Sequence, residues 1–389
     1  MNSHNTADLL IIGGGVVGSF FAYHATASGK NVILLERNSL PVGATVRNFG
    51  QVVPSGLDEI WQPYGRESLE IYHSIQSQFD ISVRQQGSIY LASNDDELTL
   101  IHELHAINSK AHYRSELWSA AQCYERYPQL RTGYCVGGLF FPQEVSVNPR
   151  TMIHQLHKFL ATSEHFESRF QTTVRELCID GGGLVKATTN SGEELFASRA
   201  IVCSGSEFGL LYPERFLASD LKAVKLQMLR LKPQPQSVLP GNILTGLSIR
   251  RYESFSQCPS WNAIKAREPS ESLAKQWGVH ILFKQEADGG IIVGDSHEYA
   301  SVAEYDKLGF DLSTDINRFM ISEAEKIMNL HSWDVESSWA GIYCQTEHSS
   351  GVFTETIDDQ IHVVTGIGGK GMTSSAGFTK HYLKRICDD

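Results

Sequence analysis

The chain has 389 residues, enough for two domains with cores of their own. With 33 Lys+Arg against 44 Asp+Glu, the formal net charge of -11 excludes a general attraction for nucleic acid or an anionic membrane. A small anionic substrate therefore needs a local Arg or Lys patch working against the overall field.

In chain order, Leu9–Ile12 is an apolar strand. Asp8 precedes it, no basic run does, and it ends in glycines, so it does not read as an export signal. The stretch DLLIIGGGVVG at 8–18 sets Gly13, Gly15 and Gly18 in G-x-G-x-x-G spacing. Gly13 permits the tight turn out of the strand, Gly15 lets backbone approach a pyrophosphate, and Gly18 lets the next helix pack closely. That helix starts near Val17, and its free N–H groups face the phosphates. A second strand, Asn31–Leu35, ends in Glu36 and Arg37. Glu36 lies 21 residues after Gly15, where a carboxylate accepts hydrogen bonds from an adenosine ribose and repels a 2'-phosphate. The fingerprint does not separate NAD from FAD. The segment RNSLPVGATVRNFGQVVP that follows favours FAD: it reads as an extended loop laid along a longer cofactor, with Ala44, Thr45, Asn48 and Gly50 against it.

Further on, 57–78 reads as a helix, 88–92 as a strand, and 95–108 and 119–126 as helices. Pro149 stands in the first turn of another helix, with Asn148 as its cap. Residues 171–180 and 184–189 flank a Gly181–Gly183 turn in a small sheet that includes Val174. Ala200–Cys203 is a buried strand, and Ser204–Gly205 a close-approach turn beside the cofactor. Residues 222–232 alternate and begin a second sheet. The clearest hairpin is 279–299, turning at Asp288-Gly289-Gly290. Residues 313–330 are helical. The last stretch gives the strand Ile361–Thr365, a cluster of Gly366, Gly368, Gly369 and Gly371 running on to Met372, and a helix. The N-terminus of that helix favours negative charge at the N1–O2 side of a reduced flavin.

The seven Cys, at 123, 135, 178, 203, 258, 344 and 387, are odd in number with no close pair in sequence. They read as thiols of a reducing compartment, not as a zinc site or disulfide framework. No stretch is long and apolar enough to span a bilayer. The expectation is a cytoplasmic monomer or homodimer without a metal. The fold class is α/β plus α+β: a Rossmann-like FAD-binding domain with an inserted, mixed or antiparallel-sheet substrate domain. The FAD-binding domain is expected over 1–80, 140–215 and 335–389, and the substrate domain over 81–139 and 216–334.

Four stretches carry a resemblance. They are IIGGGVVGSFFAYHATASGKNVILLER at the start, ATVRNFG at 44–50, DGGIIVGDSHEY at 288–299 and VVTGIGGKGMTSSAG at 363–377. Over 8–386 the sequence resembles the FAD-dependent D-amino acid oxidase family, which includes glycine oxidase and monomeric sarcosine oxidase. VRNFG, LSIRRYESF, GDSHEY and GGKGMT resemble a subgroup linked to aminophosphonate breakdown. The resemblance implies oxidation of the C–N bond of a small primary or secondary amine carrying a carboxylate or phosphonate. FAD takes the hydride at N5, the imine hydrolyses, and dioxygen or another acceptor removes the electrons. The sequence departs from sarcosine oxidase at IYCQT, where Cys344 is displaced by one residue from that enzyme's flavin-linking cysteine, so FAD is expected to be non-covalent. Ile292 stands where that enzyme has the lysine thought to promote reaction with oxygen. Lys370 is the candidate for positive charge near the flavin.

Hydride abstraction needs the amine neutral, the carbon held at N5 and water excluded, with no nucleophile or metal. Arg47, beside Asn48, is the leading candidate for the substrate anion, with a structural salt bridge as its alternative. Arg250, Arg251 and Tyr252 are placed between strands, where one arginine faces the cavity and its neighbour faces water. His280 and His297 are candidates for receiving a proton or orienting an anion. Trp339 and Tyr343 are candidate walls beside the ring, with Gly341 between them at the cofactor. Two alternatives stay open: an FAD-dependent 2-hydroxy acid dehydrogenase with His297 as its base, and a non-catalytic flavoprotein subunit.

Overall fold

The Leu9–Ile12 run is apolar on both sides because both faces of its sheet are covered. In the computed structural model, which describes residues 6–269 and 271–387, it lies in the strand Thr6–Ile12. The outermost residues of the expected FAD-binding domain, 1–5 and 388–389, lie outside the described residues. Thr6–Ile12 pairs in parallel with Val32–Leu35 on one side and Glu194–Val202 on the other. Parallel pairing continues outward to Phe166–Arg169 and to Ile361–Thr365. One sheet thus gathers the start, middle and end of the chain. Helices Val16–Ala27, Gln62–Gln76, Pro149–Leu160 and Gly371–Cys387 bury one face of it. The antiparallel strands Val174–Ile179 and Val185–Thr189 extend the sheet beside Glu194–Val202, and their apolar side chains help fill the other face.

The second sheet has nine strands. Its centre is the alternating strand Lys222–Leu231, antiparallel to Ile291–Gly294, to Glu298–Ser301 and, along its whole length, to Val335–Gln345. That last pairing puts residues 335–345 in the second sheet, whereas the sequence reading had them in the cofactor domain. The hairpin forms with Lys284 opposite Ile292.

Three local expectations change. The helix expected from residue 57 begins at Gln62, because Pro54–Gly56 is a 3-10 turn and Asp58 Oδ1 accepts the Trp61 N–H at 2.8 Å as a local cap. Residues 247–255 are not an extended crossing. Gly246–Ile249 is a helical turn and Glu253–Gln257 a 3-10 segment, so strand alternation does not govern Arg250 and Arg251. Cys123 and Cys135, apart in sequence, are both buried free thiols on either side of the start of Gly137–Phe141, Cys135 Sγ donating to the Gly137 carbonyl at 3.3 Å and Cys123 Sγ lying against Gly138. The Asn148 cap forms as read, its side chain accepting from the Arg150 and Thr151 N–H groups.

The last helix lies against Gln62–Gln76 with Gly377 at the contact. A Cβ there would stand 2.2 Å from the Tyr64 carbonyl oxygen. Gly377→Val should therefore destabilise the protein by about 1–3 kcal/mol through overpacking. Thermal unfolding of the variant against wild type checks this.

Candidate functional site

A cleft partly open to solvent runs along the C-terminal ends of the parallel strands. Its floor is the glycine turn. Gly13 has φ +111° and a Cβ there would be 2.3 Å from the Cys203 carbonyl oxygen. A Cβ on Gly18 would be 2.0 Å from the Gly13 carbonyl oxygen. Gly15 differs: a Cβ would meet only Thr45 Oγ1 at 3.2 Å, and otherwise the backbone faces the open cleft. Gly15 is the N-cap of Val16–Ala27 and no side chain caps that helix, so its N–H groups are available to an anion. Thr45 Oγ1 takes one of them, from Val16 at 2.9 Å.

At one end, Glu36 is buried. Its Oε2 accepts the Gly14 N–H at 2.9 Å and its Oε1 accepts from Asn38 at 3.0 Å. Two engaged oxygens still leave lone pairs for a ribose. Arg37 pairs with Glu207 across the opening, and Val174 and Gly205 line it. Ser204 lines it too, and its hydroxyl is buried without a partner among the described residues, an orphan suited to a ligand. At the other end lie Tyr343, Gly368, Gly369, Gly371 and Met372. The buried Cys344 thiol donates to the Gly205 carbonyl at 3.1 Å and accepts from the Gly366 N–H at 3.2 Å. Cradle, free helix terminus and orphaned hydroxyl together fit a dinucleotide.

Tyr343 is also the wall of a buried polar cluster. Its ring meets that of His297 edge-on at 6.5 Å, and His297 lies 5.6 Å from His280, centroid to centroid. Between the two imidazoles sits Asp295, with Oδ1 2.6 Å from His280 Nε2 and 3.8 Å from His297 Nδ1. His280 Nδ1 lies 3.2 Å from Ser248 Oγ. Tyr252 presents its ring to His280 at 5.6 Å. Arg251 stands at the exposed side, donating to the Tyr299 hydroxyl at 3.0 Å and the Gly278 carbonyl at 3.3 Å. Burial raises the Asp295 carboxyl, but His280, His297 and Arg251 outweigh it and hold it at about 2. Burial also keeps His297 neutral, lowered to about 3 against the pull of Asp295. Burial and the Asp295 charge push the Tyr252 and Tyr343 phenols up.

The model of the family described as DAO, FAD dependent oxidoreductase, matches residues 8–383. This chain belongs to that family. One of the subunits of the opine oxidase of Rhizobium meliloti is 24% identical over 376 residues, spanning 89% of this chain and 87% of its own. The solved glycine oxidase of Geobacillus kaustophilus superposes with a TM-score of 0.78 at 15% identity, covering 98% of this chain and 95% of that one. Iminodiacetate oxidase from Chelativorans sp. gives 0.74 at 17%, with 97% and 94% covered. These two structures show the fold. FAD is the dinucleotide the cleft is built for.

Against this FAD-dependent family site, the residues expected from sequence divide into groups. Gly13, Gly15, Val17, Gly18, Glu36, Arg37, Ala44, Thr45, Asn48, Val174, Ser204, Gly205, Gly368, Gly369, Gly371 and Met372 line the cleft. Gly50, Gly341 and Lys370 do not. Gly50 has φ +78° and turns the loop against the Val147 carbonyl. Gly341 lets the Arg47 backbone approach, a Cβ there standing 3.0 Å from Arg47 Cβ. Lys370 Nζ is 3.5 Å from Glu253 Oε1 and lies over the Trp61 ring at 5.4 Å.

His280, His297, Tyr252 and Tyr343 come together. Arg47, Arg250 and Trp339 do not join them. Arg47 is exposed, donating to the carbonyls of Val42 at 2.8 Å and Ala340 at 3.2 Å, so it ties a loop to a strand. Arg250 is held by Glu97 at 2.8 Å and Glu268 at 3.3 Å. Trp339 donates to the Arg47 carbonyl at 3.2 Å, under the Arg150 guanidinium. Sequence reasoning passed over Asp295 and Tyr299, and left Arg251 undecided. The signal for Asp295 was the strand-end run Gly294-Asp295-Ser296-His297, a carboxylate two residues from a histidine.

Replacing Gly15 separates fold from cofactor. Its Cβ has room in the protein but occupies the phosphate approach. Gly15→Val should give a soluble protein with unchanged circular dichroism and little or no bound flavin absorbance. Normal flavin content would contradict the assignment.

Proposed function

We propose that this chain oxidises the C–N bond of a small primary or secondary amine that also carries an acidic group, a carboxylate or a phosphonate. The observation that carries the reading is the pair of opposite fixed charges in the polar cluster behind Tyr343, the residue of that cluster that lines the cleft. Ionised Asp295 is buried against His297, and Arg251 stands at the solvent-exposed side of the cluster. Such a field suits a zwitterion, ammonium inward and acid outward. The related structures support the same class: glycine oxidase and iminodiacetate oxidase are named for substrates that are both amines bearing carboxylate.

Bound FAD supplies a hydride acceptor at N5. The protein does the rest. Gly13, Gly15 and the N-terminus of Val16–Ala27 hold the pyrophosphate, and Glu36 holds the ribose. The helix terminus at Gly371, which lines the cleft, would stabilise negative charge on a reduced flavin. Arg251 and Tyr299 hold the acid, and Tyr343, Tyr252 and His280 exclude water around the amine. With the Cys344 thiol engaged inside the protein, FAD binds without a covalent link. An arginine serves carboxylate and phosphonate oxygens alike, and the phosphonate branch rests on the VRNFG, GDSHEY and GGKGMT resemblance.

The test is an anaerobic visible spectrum with glycine, sarcosine, D-amino acids, 2-aminoethylphosphonate and its N-methyl form. One acidic amine should bleach the oxidised flavin band, and air should then show whether dioxygen restores it. An intact band with every amine, but bleaching by a 2-hydroxy acid, would overturn the amine reading. For the same substrate, Arg251→Met removes a charged hydrogen bond worth about 1.5–3 kcal/mol. The predicted KM rises roughly ten- to hundredfold with FAD content unchanged, while Arg47→Met leaves KM near wild type.

A further inference from the structure

His297 is the one histidine of the cluster with a nitrogen to spare. His280 has both nitrogens engaged, by Ser248 Oγ and Asp295 Oδ1. His297 Nδ1 lies 3.0 Å from the Gly278 carbonyl oxygen, which can only accept, so in the neutral ring Nδ1 carries the proton. Nε2 is then a bare lone pair, with no hydrogen-bond partner among the described residues. The ring is held in place by stacking on Tyr299 at 6.3 Å and by the edge contact with Tyr343 at 6.5 Å. Behind the protonated side lies Asp295 Oδ1 at 3.8 Å, itself fixed by His280. Apart from the contact with His280, Asp295 Oδ1 is a buried oxygen without an aligned donor. A carboxylate left so poorly satisfied in a buried site calls for a positive charge, and His297 is where one can arrive.

We propose that His297 Nε2 takes the proton from the substrate's ammonium group, with Asp295 as the residue that positions His297 and supports the imidazolium formed. The inference rests on the amine reading above. An N–H bond of the ammonium breaks and an Nε2–H bond forms. The electron pair stays on the substrate nitrogen, which becomes the neutral amine that hydride removal requires. The groups facing His297 are Asp295, His280, Arg251, Tyr299 and Tyr343. Arg251 opposes protonation until the substrate's acidic group lies against it, so the acid end of the substrate makes the base stronger. The transfer moves one positive charge between two buried nitrogens and creates none. Burial, which keeps the ring neutral in the substrate-free protein, therefore bears on both sides of the exchange. What remains is the ordinary gap between an alkylammonium and an imidazolium, and Asp295 narrows it. An alcohol brings no ammonium for this arrangement to act on, so the device selects amines over 2-hydroxy acids.

The experiment is anaerobic flavin reduction across pH by 2-aminoethylphosphonate, its N-methyl form and sarcosine, in wild type, His297→Gln and Asp295→Asn. FAD content and melting temperature are measured alongside. Near neutral pH, His297→Gln should reduce flavin about 100- to 10,000-fold more slowly. The deficit should shrink about tenfold per pH unit as pH rises, because the neutral amine, which needs no base, grows by that factor below its own pKa. Asp295→Asn should show the same slope with a smaller loss, and added imidazole should partly restore His297→Gly. Isotope-labelled histidine NMR of the resting protein should show the Nδ1–H tautomer at His297. A deficit equal at every pH, or none, overturns the proposal while wild-type reduction leaves the amine reading standing. A stoichiometric divalent metal on His280, Asp295 and His297, whose ligand atoms lie within 4.8 Å of one another, also overturns it by occupying the lone pair. If no amine reduces the wild type, the amine reading fails first and this proposal with it.

Discussion

The contact on which the rest depends is the approach of Gly13 to the Cys203 carbonyl, with Gly18 closing on Gly13 from the other side. Any side chain at Gly13 or Gly18 would push two parallel strands and a helix apart. Because none is there, the ends of Thr6–Ile12 and Glu194–Val202 meet at one point. The N-terminus of Val16–Ala27 opens above it and the orphaned Ser204 hydroxyl lines the same cleft. The long strand Val335–Gln345 then carries the chain from the second sheet to this point, and Ile342, Tyr343 and Cys344 form part of the cleft wall. A backbone packing constraint at the phosphate end thus fixes where the chemistry at the far end can occur.

At that far end the decisive property is electrostatic. The protein as a whole is acidic, yet the cluster behind Tyr343 has the Arg251 guanidinium at its exposed side and the Asp295 carboxylate within. Arg250 does not add to the field, because Glu97 and Glu268 hold it. Burial leaves two needs within a few ångströms: it keeps His297 neutral and so without a second proton, and it raises the Asp295 carboxyl against the neighbours that hold it low. A zwitterion satisfies both needs at once.

The cofactor half was legible in the sequence because its signals are local. Gly13, Gly15, Gly18 and Glu36 lie in one βαβ unit, and the backbone conformations they serve are set by neighbours in the chain. The Asn148 cap was legible for the same reason. The substrate half is built by register between distant strands and was less so. His280 and His297 could be singled out as residue types, but only pairing across the second sheet sets Asp295 between them. Arg250 and Arg251 could not be told apart by strand alternation, because their segment is helical and ion pairing decides which is free. Arg47 stood out by sequence position, next to the glycine loop, yet two backbone carbonyls take its head group.

The most direct measurement is a crystal structure of the FAD-loaded protein with its flavin reduced, soaked with the amine that bleaches the oxidised form. Reduced flavin cannot turn that amine over, so the bound pose is the substrate's own. The account predicts the acidic group against Arg251 and Tyr299, with the nitrogen facing His297 Nε2. An acidic group held by Arg47 or Arg250, or a nitrogen turned away from His297, would contradict it.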